Sequence, residues 1–138
     1  SVSCQAIDLD PAEVADAQRN LPFVQVSQGS AYELPVADEG VELLICTEVL
    51  EHLEKPELAL REFYRATSRY ALLTVPREPI WRALNMARGA YWSDWGNTPD
   101  HLNHWSSRAF RQFVSPCFNL ISVRQPLPWT MLLLEKRR

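Results

Sequence analysis

The stretch Val41-Glu-Leu-Leu-Ile-Cys-Thr-Glu-Val-Leu-Glu-His52 constrains this chain more than any other. Its first half, Val41 to Cys46, is a short apolar run that reads as a strand buried on both faces, the pattern of a parallel sheet packed between helices. Its second half gathers Glu48, Glu51 and His52. Polar groups bunched at the carboxyl end of such a strand stand where open α/β sheets bind ligands. Ile7-Asp-Leu-Asp-Pro11 repeats the arrangement upstream, a strand closing on acidic residues as a helix opens. Two acidic strand ends in a βαβ-type chain imply an α/β enzyme that binds a nucleoside.

The elements follow from local signals. A strand is expected from Ser3 to Leu9, then a helix to about Arg19, with Asp10 as cap, Pro11 at its first position and Glu13 completing a capping box. Phe23 to Val26 alternates as a strand, Gln28 to Pro35 is a loop, and Ala37-Asp-Glu-Gly40 is a turn. Pro56 opens a second helix, on which Leu60, Phe63, Tyr64 and Thr67 share a face and which Ser68 and Arg69 end. Tyr70 to Val75 is an apolar strand stopped by Pro76. Arg77 to Asp100 is an aromatic-rich stretch with Trp81, Tyr91, Trp92 and Trp95, helical in its first half. Ser106 or Ser107 caps a helix that buries Phe110, Phe113 and Val114. Phe118 to Val123 and Trp129 to Glu135 form a final antiparallel pair.

At 138 residues the chain fits one domain with a core. A net charge of −3 gives no footprint for nucleic acid, and the basic end Lys136-Arg-Arg138 reads as solvated. Cys4, Cys46 and Cys117 are scattered without a C-x-x-C pair, which argues against a zinc ribbon and fits a reducing, cytoplasmic setting. No apolar run is long enough to span a membrane.

The order of elements, with Ile7-Asp-Leu-Asp-Pro11, Gln28-Gly-Ser-Ala-Tyr-Glu-Leu-Pro35, Val41-Glu-Leu-Leu-Ile45 and Glu48-Val-Leu-Glu-His52, resembles the class I methyltransferases of the small-molecule, type 11 kind. The resemblance implies a Rossmann-like three-layer α/β/α sandwich with a mixed sheet, S-adenosylmethionine as cofactor, and a small-molecule or lipid-like acceptor. It makes Asp8 the ribose ligand and lets Leu9 pack on the adenine. Ala31 and Tyr32 line the adenine edge, and Cys46 and Thr47 approach the cofactor through their backbone. Ser30 stands where the family usually has an acid for the adenine amino group. Plain structural roles compete: a strand-end cap for Asp8, loop packing for Tyr32. The family's first strand, glycine-rich turn and helix have no counterpart here, so residues 1–138 read as a partial domain that binds cofactor poorly by itself and leaves two strand edges unpaired, through which a homodimer could form. His52 is the expected catalytic base, with His101 or His104 second, and residues 77–105 read as an insert covering the acceptor site.

Glu48, Glu51 and His52 could also face one divalent ion, since residues three and four apart share a helical face. With a distant His101 the set is similar to the E-x-x-E-H pattern of small-RNA 2′-O-methyltransferases and some quinone-biosynthesis O-methyltransferases, in which an ion holds substrate hydroxyls. The same motif serves many methyltransferases as a helix start or pocket wall, so a metal-free site is the expectation. Two other readings stay open: a degenerate methyltransferase-like binding module, and a dehydrogenase, which would want a G-x-G-x-x-G turn that is not found here.

Overall fold

The structure, a computed structural model, describes residues 3–138. Strand β1 (Gln5–Asp8) leads through α1 (Pro11–Asn20) to β2 (Gln25–Gln28), which pairs with it in parallel. Asp10 Oδ1 accepts the N–H of Ala12 at 2.7 Å, so the expected cap forms. Strand β2 lies two residues later than Phe23–Val26. The N–H of Val24 turns back to the Leu21 carbonyl, which spends Pro22 and Phe23 in a turn and leaves Phe23 95% exposed.

The second sheet is mixed. Its strands are β3 (Val41–Thr47), β4 (Thr67–Pro76), β5 (Phe118–Arg124) and β6 (Trp129–Lys136), in the order β3-β4-β6-β5. β3 and β4 are parallel, while β6 runs antiparallel to both of its neighbours. Three helices accompany it: α2 (Pro56–Ala66), α3 (Ile80–Ala87) and α4 (Ser107–Val114). α2 passes straight into β4. Thr67, expected on the helical face, is extended and buried opposite Val41, and Ser68 Oγ donates to the Val41 carbonyl at 3.1 Å. A β-branched residue with a strand partner does better there than in a last helical turn.

Every second residue of the sheet enters one core. Leu44 and Cys46 of β3, Leu73 and Val75 of β4, and Leu132 and Leu134 of β6 meet Leu60 and Phe63 of α2 and Phe110 and Val114 of α4. Both helices lie on that face. The opposite face leaves Leu43 and Ile45 at 48% and 59% exposure. The expectation that β3 is buried on both faces is therefore corrected: Leu44 and Cys46 are covered, while Leu43 and Ile45 on the opposite face are not covered among the described residues. The β1–β2 pair makes no ladder with β3, and each of those two strands keeps one edge unpaired.

The two sheets are joined by the segment after β2. The N–H of Gly29 donates to the Asp8 carbonyl at 2.9 Å, and a Cβ there would lie 2.7 Å from Ile7 Cγ2, so this close approach requires glycine. Arg65 on α2 then gathers the descending chain. It donates to the Val36 carbonyl at 2.9 Å, to Asp38 Oδ1 at 2.7 Å and to Glu62 at 2.6 and 2.8 Å, while Glu62 accepts the N–H of Leu34 at 2.7 Å. Arg65 beside it holds the Glu62 carboxyl below the usual carboxylate range.

Phe110 is fully buried between the sheet and the aromatic rings of Trp105 and Phe113. Phe110→Ala should cost ~3–5 kcal/mol of stability in urea denaturation without changing far-UV dichroism at low denaturant.

Candidate functional site at the carboxyl ends of the strands

Glu48, the residue after β3, adopts a left-handed backbone with φ of 55°. Its carboxylate holds the conformation: Thr74 Oγ1 donates to Oε1 at 3.1 Å and Trp129 Nε1 donates to Oε2 at 2.8 Å. One side chain thus ties together the ends of β3, β4 and the start of β6. An apolar hollow of about 160 Å³ lies here, lined by Thr47, Glu48, Thr74, Pro126, Trp129 and Met131. A larger depression of about 640 Å³, around Arg69, Asn119 and Glu135, opens at the other end of β4, away from these residues.

Leu50–His52 form a single 3-10 turn, not the first turn of an α-helix. The i, i+3, i+4 face expected for Glu48, Glu51 and His52 is therefore replaced by a different arrangement. Glu51 points inward and is 1% exposed, with neither carboxylate oxygen hydrogen-bonded. Burial pushes its carboxyl up to about 8, and the neighbouring Glu48 adds to the shift. His52 points outward, and its Nδ1 lies 2.9 Å from the Asp100 carbonyl. A carbonyl only accepts, so Nδ1 is the donor in this contact and Nε2 takes no part in it.

The segment Thr98–Asn103 completes the site. The N–H groups of Leu102 and Asn103 both donate to the Glu51 carbonyl, at 2.8 and 3.0 Å. Asn103 Nδ2 donates to the carbonyls of Leu50 and Leu53 at 3.2 and 2.6 Å. Trp81 Nε1 donates to Thr98 Oγ1 at 3.0 Å, and its indole stacks on His101 with centroids 5.6 Å apart. His101 meets His52 edge to face at 4.9 Å and is 7% exposed. Burial first, then the neighbouring His52 and His104, hold its imidazole below the usual histidine range, so it is neutral at neutral pH. Glu51, His52 and His101 each offer a ligand atom, and these atoms all lie within 4.8 Å of one another. His104 is apart, its Nδ1 being 3.4 Å from Glu78 Oε1.

Of the residues named for the cofactor, Asp8 and Leu9 stand at the end of β1, Ser30, Ala31 and Tyr32 in the loop after β2, and Cys46 and Thr47 at the end of β3 itself. Asp8 closes β1, and one of its oxygens already accepts the N–H of Asp10 at 2.8 Å, so the strand-end turn is part of its role. Leu9 is 70% exposed. Ser30 Oγ accepts the N–H of Tyr32 at 3.1 Å, and Tyr32 Oη accepts the N–H of Lys55 at 3.2 Å. Ala31 packs on the core. The Cys46 thiol faces the core, where burial, helped by Glu51 and Glu48, pushes it up to about 12. Thr47 is exposed on the facing side of the strand end.

A family profile described as a methyltransferase domain matches residues 2–74, more than half of the chain. The chain belongs to this methyltransferase-domain family. It is 34% identical over 70 residues to Mycobacterium tuberculosis proteins named "Probable S-adenosylmethionine-dependent methyltransferase", and the match spans 51% of this chain but 26% of theirs. Over 99% of the chain the fold matches magnesium protoporphyrin IX methyltransferase of Synechocystis PCC 6803, solved with bound SAH, at a TM-score of 0.75 and 12% identity, covering 65% of that protein. It also matches the [4+2]-cyclase SpnF at a TM-score of 0.72 and 14% identity, over 98% of this chain and 67% of that one. Matches at such identities establish the Rossmann-like methyltransferase fold alone, since folds host unrelated reactions.

In this methyltransferase domain the residues that shape the site but had no sequence signal are Thr74, Trp129, Asn103 and Thr98. Each reads as an ordinary strand or loop residue until its partner is placed beside it. Among the described residues no helix is long and apolar enough to cross a membrane.

The Glu51 shift has a pH consequence in ion-free protein. In the unfolded chain this glutamate ionises at its ordinary, lower pKa, while the folded protein keeps the proton up to about pH 8. Between the two the unfolded state binds fewer protons, so stability falls as pH rises through that interval and levels off above it. The loss is about 1.4 kcal/mol per unit of separation. Glu51→Gln should flatten the profile between pH 5 and 8, measured by urea denaturation in chelator; an unchanged slope would place its source elsewhere.

Proposed function

We propose that this domain transfers a methyl group from S-adenosylmethionine to a small or lipid-like acceptor bound beside His52. The observation that carries the reading is the tautomer of His52. A backbone carbonyl holds the Nδ1 proton, which leaves a basic lone pair on an exposed imidazole at a strand end. Such an imidazole, in its neutral form, can take a proton from an oxygen or nitrogen nucleophile.

The residues present fit the cofactor. One oxygen of Asp8 is spent on its own turn, and the other can accept a ribose hydroxyl. Leu9 offers an exposed apolar face for an adenine, and the Ser30 hydroxyl can meet the adenine edge. Ala31 and Tyr32 wall that edge, and Cys46 and Thr47 supply backbone at the end of β3. When bound, S-adenosylmethionine supplies a sulfonium methyl whose carbon–sulfur bond breaks as the bond to the acceptor forms. The protein's part is to align the two and to keep water away. Trp81 and Trp129, with centroids 6.3 Å apart, provide an apolar wall suited to that task. His101 backs His52, and His104, paired with Glu78, is the more remote of the three histidines.

Two measurements test the reading. Asp8→Ala should weaken S-adenosylmethionine binding at least ~tenfold by calorimetry, or ~1.4 kcal/mol. His52→Ala should lower kcat of methyl transfer by ~10²-fold or more while leaving cofactor affinity within about threefold. Equal losses in both parameters would take His52 away from the acceptor.

A further inference from the structure

We propose that Thr98 is a positioning residue for His52: its hydroxyl anchors the turn whose Asp100 carbonyl holds the imidazole, and so sets which ring nitrogen carries the proton. The importance of that proton rests on the function proposed above. Thr98 Oγ1 is the point where α3 grips the segment that follows it. Trp81 Nε1 donates to this oxygen at 3.0 Å and Asn85 Nδ2 at 3.4 Å. Asn85 is 3% exposed within a helix, where a buried amide is tolerated only if its hydrogen bonds are made. Its Nδ2 also donates to the Gly96 carbonyl at 2.9 Å, and Arg82 Nε donates to the Trp95 carbonyl at 3.0 Å. Gly96 has a φ of 75°, and an added Cβ would strike the Arg82 carbonyl, so the segment lies as near to α3 as backbone allows. Three side chains of one helix thus hold residues 95–98.

From this anchor the path to His52 is short and stiff. The N–H of His101 donates to the Thr98 carbonyl at 3.0 Å, which closes a reverse turn over Pro99 and Asp100. Proline at the second position of such a turn has its φ already set. The turn therefore aims the Asp100 carbonyl, which meets His52 Nδ1 at 2.9 Å. Beyond the turn the N–H groups of Leu102 and Asn103 pin the chain to the Glu51 carbonyl. The Asp100 carbonyl is thus held from both sides, and the Thr98 hydroxyl is the hold on one of them. Its loss leaves an indole N–H and an amide N–H without an acceptor against α3, which drives the segment to shift. A shift of about 1 Å takes the carbonyl out of hydrogen-bond range, and the neutral imidazole is then free to move its proton to Nε2. An imidazole protonated at Nε2 and turned away from its partner slows proton removal more than it weakens binding.

The tautomer of the neutral His52 ring is read from long-range ¹H–¹⁵N spectra of protein with ¹⁵N-labelled histidine, without cofactor or acceptor. The parent protein should show the proton on Nδ1. Thr98→Val keeps the shape of the side chain and removes the hydroxyl; it should lower the share of that tautomer by ~twofold or more, and Thr98→Ser should restore it. Trp81→Phe keeps a ring against His101 and removes one donor to Thr98. It should move the tautomer in the same sense, and it carries the test if Thr98→Val does not fold. In methyl transfer, Thr98→Val should lower kcat ~tenfold or more with KM within about twofold of the parent, and Thr98→Ser should recover the rate. A parent ring protonated at Nε2, or a tautomer unmoved in both Thr98→Val and Trp81→Phe, would overturn the proposal. A tautomer that moves while kcat stays unchanged upholds the positioning by Thr98 and removes His52 from the reaction, so the two readings fail separately.

Discussion

The carbonyl of Glu51 receives two backbone N–H groups, from Leu102 and Asn103, and the site depends on that docking. It joins segments fifty residues apart in sequence. Without it His101 would have no fixed position, Trp81 would lose the ring it stacks on, and the Asp100 carbonyl would not meet His52. Asn103 strengthens the join by donating to the carbonyls of Leu50, in the same 3-10 turn, and of Leu53, just after it. A turn of this type leaves carbonyls unsatisfied at its end, and here a loop side chain meets them where a longer helix would have used its own next turn.

Glu48 supplies a second constraint. A bulky residue at positive φ is uncommon and costs of order 1 kcal/mol or more. The cost is offset by two hydrogen bonds to a charged acceptor, each stronger than a neutral pair. The sharp reversal at Glu48 is what drops Leu50 and Glu51 into the interior and leaves His52 outside. Adjacent residues of similar polarity therefore meet opposite environments. Glu51 is held away from water beside another carboxylate, and His52 keeps solvent on one side.

Much of this fold was legible in the sequence, because its signals are local. Pro11 and Pro56 mark helix starts, Asp10 and Ser106 make the caps they advertise, and the runs Tyr70–Val75 and Trp129–Glu135 lie within their strands. What the sequence could not show is which face of β3 is covered. The run Val41–Cys46 is apolar on both sides, yet α2 and α4 pack on the same one. The boundary at Thr67 was hidden for a related reason: helical periodicity cannot say where a strand partner waits. At the site, the motif residues were visible but their directions were not. Glu48, Glu51 and His52 read as one helical face, and a left-handed residue followed by a 3-10 turn sends each of them in a different direction.

The join between the two sheets follows a different logic from the core. Apolar packing fixes α2 and α4 on β3–β4–β6, and the chain between β2 and β3 adds Ala31, Leu34 and Val36 to that core while Arg65 gathers it through polar contacts. Arg65 meets two carbonyls, Asp38 and Glu62 at once, and its planar fork makes such multiple contacts at little further entropy. Directional bonds of this kind set orientation more than they add stability, since partly solvated pairs contribute little net energy. That division suits a domain whose proposed cofactor residues come from both units. Asp8 and Leu9 arrive with β1, Thr47 with β3 and His52 with the turn after it, and the segment Arg65 holds, Leu34 to Asp38, is part of the chain that links the two units.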